Sequence, residues 1–251
     1  MGKLDGYKVL VTGSTSGIGL GITKKFISEG ATVVGLGRDF HRTTELGEQY
    51  IPCKCDMYDP AQIKAAFEFA SEQFDGRLDV LVNCAGRGTY GAIDNFEPEE
   101  FDENFYLLVR AYMLTTRYAI PLLKQSPVAN IVNIASASGH VLDVGQFMYS
   151  LSKTSIIKFT KLTAKTNPWL RANSISPGII KTPIFNYCNE EMKKAFDLEN
   201  DFAAFAQMFP CKRVGEPEDI ARVALLFASK DGEYINGTDI LVDGGMVAYL
   251  Q

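Results

Sequence analysis

The feature that most restricts the possible folds is a short apolar run that leads directly into a glycine-rich turn. Residues 8–12 (KVLVT) predict a buried strand of a parallel sheet, because they are apolar and partly β-branched. The turn runs from Gly13 to Gly19 with the spacing G-x-x-x-G-x-G, and a helix is predicted from about 17 to 29. Glycines here allow a tight turn and let main-chain N–H groups approach a pyrophosphate at the positive end of the helix. The stretch therefore predicts a site for a dinucleotide.

Predicted strands and helices alternate along the rest of the chain. Strands are expected at about 30–36, 50–55, 78–83, 129–135, 172–176 and 238–242. Helices are expected at about 41–48, 60–74, 98–125, 149–166 and 217–229. Such alternation implies right-handed crossovers and a parallel sheet with helices on both faces. We therefore predict an α/β, doubly wound fold that forms one domain over residues 1–251.

Composition argues against several classes of protein. The net charge of −5, without a basic run, argues against a nucleic-acid-binding surface. The sequence has no apolar stretch long enough to span a membrane, and its first residues resemble neither a signal peptide nor a myristoylation site. We therefore expect a cytoplasmic protein that interacts with neither nucleic acid nor membrane.

The cysteines are interpreted as buried thiols in a reducing compartment. Cys53 and Cys55 are too close together for the usual zinc-binding C-x-x-C pair, and only two histidines could join them. We therefore expect no metal site. The cysteines are Cys53, Cys55, Cys84, Cys188 and Cys211.

Small or polar residues follow the predicted strands at the ends where open α/β sheets bind ligands. Asp56 could accept a hydrogen bond from an adenine amino group, or it could cap the next helix together with Asp59. Asn83 could line the cofactor, or it could hold neighbouring strands through hydrogen bonds to the main chain. We expect one binding edge formed by Gly13, Arg38, Asp56, Asn83, Ser136 and Pro177.

The residues after the second strand bear on which dinucleotide is bound. An acidic residue at this position binds the 2′-hydroxyl of NAD, whereas an arginine accommodates the 2′-phosphate of NADP. Gly37 removes the acid and Arg38 supplies the cation, with Arg42 as a possible second. Asp39 could point toward or away from the ribose, and Arg38 could also be a solvated loop charge. The pattern favours NADP(H) and leaves NAD(H) possible.

Tyr149 and Lys153 are the candidate catalytic pair. Residues four apart lie on one face of a helix, and an ammonium beside a phenol favours the phenolate and lowers the pKa of the phenol. Ser136, thirteen residues earlier, could hold a carbonyl or alcohol oxygen at the same point. The Y-x-x-x-K spacing alone is common in ordinary amphipathic helices, so the interpretation depends on the glycine-rich turn and the serine. Together they indicate hydride-transfer chemistry.

The whole pattern resembles the short-chain dehydrogenase/reductase family. The resemblance covers residues 3 to about 247, with the motifs in the order and spacing of the family. The matching motifs are TGxxxGIG at 12–19, Asp56, NCAG at 83–86, Ser136, YxxxK at 149–153, Pro177-Gly178 with Thr182, and DGG at 243–245.

The resemblance implies a Rossmann-type domain with a seven-stranded parallel sheet and a bound nicotinamide dinucleotide. It implies that Tyr149 is the general acid/base, that Lys153 lowers its pKa and binds the nicotinamide ribose, and that Ser136 positions the substrate oxygen. Thr182 would hold the carboxamide. Other residues expected at the cofactor are Gly13, Ser14, Thr15, Ser16, Gly17, Ile18, Gly19, Arg38, Asp56, Met57, Asn83, Ala85, Gly86, Pro177, Gly178 and Ile180. A homotetramer or homodimer is also implied.

One position departs from the family pattern. The family usually places an asparagine on the long helix, where it binds a water that links the lysine to solvent. Spacing to Ser136 puts Leu108 there, and Asn104 lies one turn earlier on the same face. Either another route replaces this relay or turnover is impaired. The second alternative corresponds to a dinucleotide-binding redox sensor or scaffold without catalytic activity.

The substrate is predicted from the lid, a variable segment at about 183–212. Its phenylalanines and methionines suggest an apolar pocket, although such residues can equally form core or interface. We expect an alcohol or ketone that is bulky and hydrophobic, such as a hydroxysteroid. A 3-oxoacyl thioester or a polyol or sugar is the alternative.

Overall fold

A parallel sheet of seven strands forms the centre of the protein, in a computed structural model that describes residues 2–94, 96–142, 145–187 and 190–250. The strand order is β3-β2-β1-β4-β5-β6-β7, so the chain winds outward in both directions from β1. Every pairing is parallel. The strands are β1 (Lys8–Thr12), β2 (Thr32–Gly37), β3 (Tyr50–Lys54), β4 (Val80–Asn83), β5 (Asn130–Ile134), β6 (Arg171–Pro177) and β7 (Asp239–Val242). The predicted fold class is confirmed.

The helices cover both faces of this sheet. They are α1 (Gly17–Ser28), α2 (Pro60–Gln73), α3 (Pro98–Phe105), α4 (Ala111–Leu123), α5 (Phe147–Thr166), α6 (Glu190–Ala195), α7 (Ala203–Ala206), α8 (Pro217–Ala228) and α9 (Met246–Leu250). None of the helices in the described part of the chain is sufficiently long and apolar to cross a membrane.

Alternation along the strands produces two buried layers. Val9 and Val11 point to one face and pack with Phe26 of α1 and Phe227 of α8. Leu10 points to the other face, into the layer that includes residues of α2, α4 and α5. Successive strand residues point to opposite faces, and both faces are buried here, so the middle of β1, of β2 and of β4 is apolar or small on both faces.

The segment predicted as a helix at about 41–48 forms turns instead. The Asp39 carboxylate accepts hydrogen bonds from the His41 N–H and ring, which fixes a turn at the start. Gly47 has a φ of +71°, in the left-handed region that ends regular helices. The prediction was wrong because these local turns oppose helix formation in a short polar stretch.

The predicted helix at about 98–125 is interrupted in its middle. Between α3 and α4, residues Tyr106–Arg110 form a π-helical turn, and Leu108 within it is fully buried. Such single turns are rare and are often found at functional sites. The predicted lid, in its described part, consists of short helical turns, α6 and α7, and Cys188 lies outside the described residues.

Candidate active site

A cavity of about 660 Å³ opens along the carboxyl edge of the sheet. The ends of β1, β2, β5 and β6 all contribute to its wall, as expected for an open α/β fold. The predicted site residues that line it are Gly13, Thr15, Ser16, Gly17, Ile18, Gly19, Arg38, Asp56, Met57, Ala85, Gly86, Ser136, Tyr149, Lys153, Pro177, Gly178, Ile180 and Thr182. One cavity thus brings together residues that are spread over most of the chain.

The glycine-rich turn brings main chain against main chain at the start of this cavity. Gly13 has a φ of +67°, and a Cβ atom there would lie 2.9 Å from the Cα of Ala85. A Cβ atom at Gly19 would lie 2.1 Å from the carbonyl oxygen of Gly13. Side chains at these two positions would collide with the main chain, so the glycines allow the turn to pack closely beside the first turn of α1, where main-chain N–H groups favour an anion. This cradle fits a pyrophosphate.

Two predicted cofactor residues, Ser14 and Asn83, do not line the cavity. Both side chains are fully buried. The Ser14 hydroxyl is hydrogen-bonded to Tyr50 at 2.8 Å, and the Asn83 amide donates to Asn133 at 2.9 Å and accepts from Thr115 at 2.7 Å. Their side chains connect the ends of β1 and β4 to neighbouring elements, which for Asn83 is the structural role that the sequence left open, and a cofactor contact of either residue stays a prediction.

Arg38 lines the cavity where β2 ends. Next to it in the sequence, three side chains are linked by hydrogen bonds. The Asp39 carboxylate is turned toward His41, at 2.7 Å from its Nδ1, and the Nε of Arg42 donates to the His41 Nε2 at 3.1 Å. The hydrogen bond from the His41 N–H is the largest contribution that lowers the pKa of Asp39. Asp39 is therefore paired within its own loop, although it lines the cavity together with Arg38, His41 and Arg42.

The two acids after β3 have separate partners. Asp59 caps α2 and accepts from the Ala61 N–H at 2.8 Å. Asp56 accepts from the Tyr58 N–H at 3.0 Å and lines the cavity beside Met57. Asp59 supplies the cap of α2, so Asp56 is not needed for this role. The Asp56 carboxylate can therefore accept a further hydrogen bond from a ligand.

Ser136, Tyr149 and Lys153 meet at the opposite end of the cavity. Ser136 follows β5 and caps the short 3₁₀ turn Ala137–Gly139, where its Oγ accepts from the Ser138 N–H at 3.1 Å. The Ser136 hydroxyl interacts with the phenol of Tyr149 and favours its ionised form, which lowers the pKa of Tyr149 against the larger effect of burial. The Lys153 Nζ lies 5.5 Å from the centre of the Tyr149 ring. Two hydroxyls and an ammonium thus converge on one point.

Burial shifts the pKa values of the catalytic pair. It raises the pKa of Tyr149 to about 12, partly offset by the hydrogen bond with Ser136, and lowers the pKa of Lys153 to about 8. The shift of Tyr149 is opposite to the direction expected from the sequence. The Lys153 ammonium donates at 2.9 Å to the carbonyl of Ile134 and lies beside the phenol ring, so desolvation dominates. At neutral pH Tyr149 therefore retains its proton.

The position of the missing asparagine is filled by packing. A Cβ atom at Gly86 would lie 3.0 Å from the Cδ2 of Leu108, so this leucine closes against the cavity wall. Asn104 points elsewhere, because it accepts from the Ser152 hydroxyl at 2.6 Å and donates to Thr89 at 2.5 Å. Asn104 thus ties α3 to α5 and to the loop after β4.

Further residues line the same cavity without having been predicted as site residues. Gln146 precedes Tyr149 by three positions, so helical spacing could have indicated that it shares a face with the tyrosine. Tyr90 lies in the loop after β4, and no sequence signal pointed to it. Others are Phe185, Asn186, Phe196 and Met246, from the lid and from α9.

A protein-family model described as enoyl-(acyl carrier protein) reductase matches residues 13–247. The chain belongs to the short-chain dehydrogenase/reductase family. The predicted resemblance is confirmed over nearly the whole sequence, and members of this family bind a nicotinamide dinucleotide.

Relatives in this family act on different substrates. The chain is 31% identical to the 7α-hydroxysteroid dehydrogenase of Bacteroides fragilis, over 99% of this chain and 97% of the relative. It is equally 31% identical to the 3-oxoacyl-(acyl-carrier-protein) reductase of Thermotoga maritima, over 98% and 99%. The ligand-free aldohexose dehydrogenase of Thermoplasma acidophilum superposes with a TM-score of 0.87 at 30% identity, over 98% and 95%. The protein is thus an oxidoreductase of this family, and its relatives leave the substrate class open.

Proposed function

We propose that this protein is an NAD(P)-dependent oxidoreductase that interconverts a secondary alcohol and a ketone on a bulky hydrophobic substrate, such as a hydroxysteroid. One observation carries the proposal. Ser136 and Tyr149 line the same cavity as the glycine-rich turn, with Lys153 beside the ring of Tyr149. A substrate oxygen at this point would meet a hydrogen-bond donor and a proton donor at once.

Within this proposal Tyr149 is the general acid for reduction and the general base for oxidation. Its raised pKa keeps the phenol protonated at neutral pH, so a proton is available for the oxygen of a ketone. Ser136 already accepts from the Ser138 N–H, so its own proton can be donated to the substrate oxygen. The bound dinucleotide would donate or accept the hydride.

Lys153 would stabilise the negative charge that develops on Tyr149 as the proton leaves. Its ammonium is buried and fixed by the carbonyl of Ile134, so it acts in surroundings of low dielectric without reorganising. The same residue would contact the nicotinamide ribose, because it lines the cavity between the glycine-rich turn and Tyr149.

The dinucleotide preference is proposed to be NADP(H). Arg38 lines the cavity after β2, and the carboxylate of Asp39, which lies in the same wall, is paired with His41. A planar guanidinium matches a phosphate through paired hydrogen bonds, and an unpaired acid would repel it. Asp56 and Met57 would lie at the adenine, the glycine-rich turn at the pyrophosphate, and Thr182 at the nicotinamide carboxamide.

A hydrophobic substrate is supported by apolar side chains in the cavity wall. Phe185 and Phe196 of the lid line the cavity, at 5.4 Å between ring centres, and Met246 and Ile184 line it too. Aromatic and thioether side chains favour apolar ligands of large area. The polar amides of Gln146 and Asn186 would orient such a ligand.

A panel of substrates tests the proposal. The protein is mixed with NADPH or NADP⁺ and with steroid ketones and alcohols, 3-oxoacyl thioesters, or polyols and sugars, and the nicotinamide absorbance is followed through a single turnover. We expect turnover with steroids. Turnover of thioesters alone, or of polyols and sugars alone, would show that the substrate belongs to that class and not to the steroids. Cofactor binding without hydride transfer to any compound would indicate a sensor or scaffold.

A homodimer or homotetramer is proposed from the outer faces of α4 and α5. Met113, Leu151 and Leu162 are large apolar residues that expose 44–49% of their surface in the single chain. Light scattering after gel filtration tests this proposal, and a monomer at micromolar concentration would refute it. We also propose that the protein works in the cytoplasm with a small-molecule substrate.

A further inference from the structure

A polar cluster behind the active site connects the turn that carries Ser136 to the last two strands of the sheet. His140 ends the 3₁₀ turn Ala137–Gly139, and its Nε2 lies 2.8 Å from Oδ2 of Asp239 and 3.1 Å from the Ser176 hydroxyl. Asp239 is the first residue of β7, and Ser176 lies near the end of β6. The contact therefore joins three separate elements.

The carboxylate of Asp239 is buried, and both of its oxygens accept hydrogen bonds. Its side chain is 4% exposed, and that of His140 is 28% exposed. Ser174 donates to Oδ1 at 2.5 Å, and the Ser176 hydroxyl lies 2.9 Å from Oδ2. A buried carboxylate is costly unless it is hydrogen-bonded and paired, so this site strongly favours a donor at the position of the His140 Nε2.

The cluster lies between the two loops that form the catalytic end of the cavity. Four residues before His140 is Ser136, and the residues immediately after Ser176 are Pro177 and Gly178, which line the cavity. The bridge from His140 therefore fixes the distance between the serine turn and the end of β6. An active-site serine must be held to within a fraction of an ångström to act on a substrate oxygen.

We propose that His140 is a positioning residue, which holds the turn bearing Ser136 against Ser176 near the end of β6 and against Asp239 at the start of β7. The hydroxyl of Ser136 then stays in register with Tyr149. The inference rests on the proposed function for its kinetic consequence, although the restraint on the turn exists independently of substrate. Loss of the bridge would loosen the turn, which would retain the hydrogen bond from Thr154 to Gly139 at 3.1 Å.

The test compares His140→Ala with His140→Gln and with a matched control. The amide Nε2 of glutamine can reach the place of the histidine Nε2 and donate to Asp239, so this variant should rescue the bridge. The control is Arg77→Ala. Arg77 lies 3.1 Å from Asp79, a carboxylate that is 2% exposed and also accepts from a serine, at the amino end of β4. The Arg77→Ala variant likewise removes a side chain that contacts a buried carboxylate, at the edge of the sheet opposite the active site.

We expect His140→Ala to lower kcat roughly tenfold or more at an unchanged KM for the dinucleotide, because misplaced catalytic groups cost that much. His140→Gln should recover most of kcat, and Arg77→Ala should lose stability but retain kcat. Asp239→Asn should behave like His140→Ala, and combining the two should add little further loss. A kcat for His140→Ala within twofold of the wild type, an equal loss in Arg77→Ala, or no rescue by glutamine would overturn the proposal.

Hydrogen exchange separates this inference from the proposed function. Amides of residues 136–142 should exchange faster in His140→Ala than in wild type, His140→Gln or Arg77→Ala. If the wild type turns over no alcohol or ketone, the proposed function fails. The hydrogen exchange of residues 136–142 then tests by itself whether His140 holds the turn. Unchanged exchange of this segment in His140→Ala overturns it in either case.

Discussion

The Nζ of Lys153 donates a 2.9 Å hydrogen bond to the carbonyl oxygen of Ile134, the last residue of β5. This contact anchors the ammonium to the central sheet rather than to the hydroxyl of Tyr149. The lysine is buried, and its ring neighbours are Tyr149 and Tyr112, whose centres lie 5.5 and 5.6 Å from Nζ. Burial of the Lys153 ammonium should lower the free energy of unfolding of the protein, and this cost can be measured.

Lys153→Met should stabilise the protein near neutral pH. The pKa of Lys153 falls from 10.5 to about 8 on folding, so below pH 8 the buried ammonium costs about 3 kcal/mol of folding free energy. Between pH 8 and 10.5 the unfolded chain holds a proton that the folded chain lacks, so the wild type gains stability as pH rises. The advantage of the variant should therefore shrink over this window, as measured by urea unfolding.

The matched control for this measurement is Lys8→Met. The Nζ of Lys8 also donates to a carbonyl, that of Phe74, but its side chain stays 24% exposed outside the active-site cavity. Lys8→Met should not stabilise the protein. If Lys153→Met unfolds more easily than wild type at pH 7, burial of the ammonium does not cost what its pKa indicates.

Arg38→Ser should lower kcat/KM for NADPH roughly tenfold to a hundredfold and leave kcat/KM for NADH nearly unchanged. The expected loss follows from hydrogen bonds between a guanidinium and a phosphate. Arg222→Ser, on the outer part of α8, removes the same charge away from the cavity and should change neither value. Equal losses with both cofactors would show that Arg38 contacts something other than the 2′-phosphate.

Phe185→Ala should raise KM for a hydrophobic ketone several-fold while leaving KM for the dinucleotide unchanged. Phe185 packs at 5.0 Å between ring centres against Phe202 and forms part of the cavity wall, so its loss removes apolar contact with the substrate. Met208→Ala tests the lid itself, because Met208 is 60% exposed and does not line the cavity. If Met208→Ala raises KM as much, lid stability and not substrate contact explains the effect.

The sequence predicted most of the fold because both of its signals are local. The apolar strands and the glycine-rich turn are contiguous, and the carboxyl ends of parallel strands must meet at one edge. Local turn chemistry at Asp39 and Gly47 defeated the predicted helix at about 41–48. The π-helical turn around Leu108 could not be expected, because it depends on how a buried leucine packs against Gly86.

The sequence predicted which residues lie together at the candidate site better than it predicted their pKa values. Ser136, Tyr149 and Lys153 could be placed together because spacing and strand ends determine their positions. The direction of the pKa shift of Tyr149 could not be predicted from the sequence, because burial depends on the whole fold and outweighs the effect of the neighbouring ammonium. The places of Asn83 and Ser14 were less predictable, because a polar residue at a strand end can face either the cavity or the adjacent strands.

Replacement of Tyr149 by phenylalanine tests the central claim most directly. Tyr149→Phe removes one hydroxyl from the cavity, and Tyr118→Phe removes one from α4, where the ring of Tyr118 packs against Phe67. We predict that Tyr149→Phe lowers kcat for ketone reduction by about a thousandfold or more while the dissociation constant for NADPH changes less than threefold. Tyr118→Phe should match the wild type. Ketone reduction by Tyr149→Phe at the rate of Tyr118→Phe would contradict the role of Tyr149 as the proton donor.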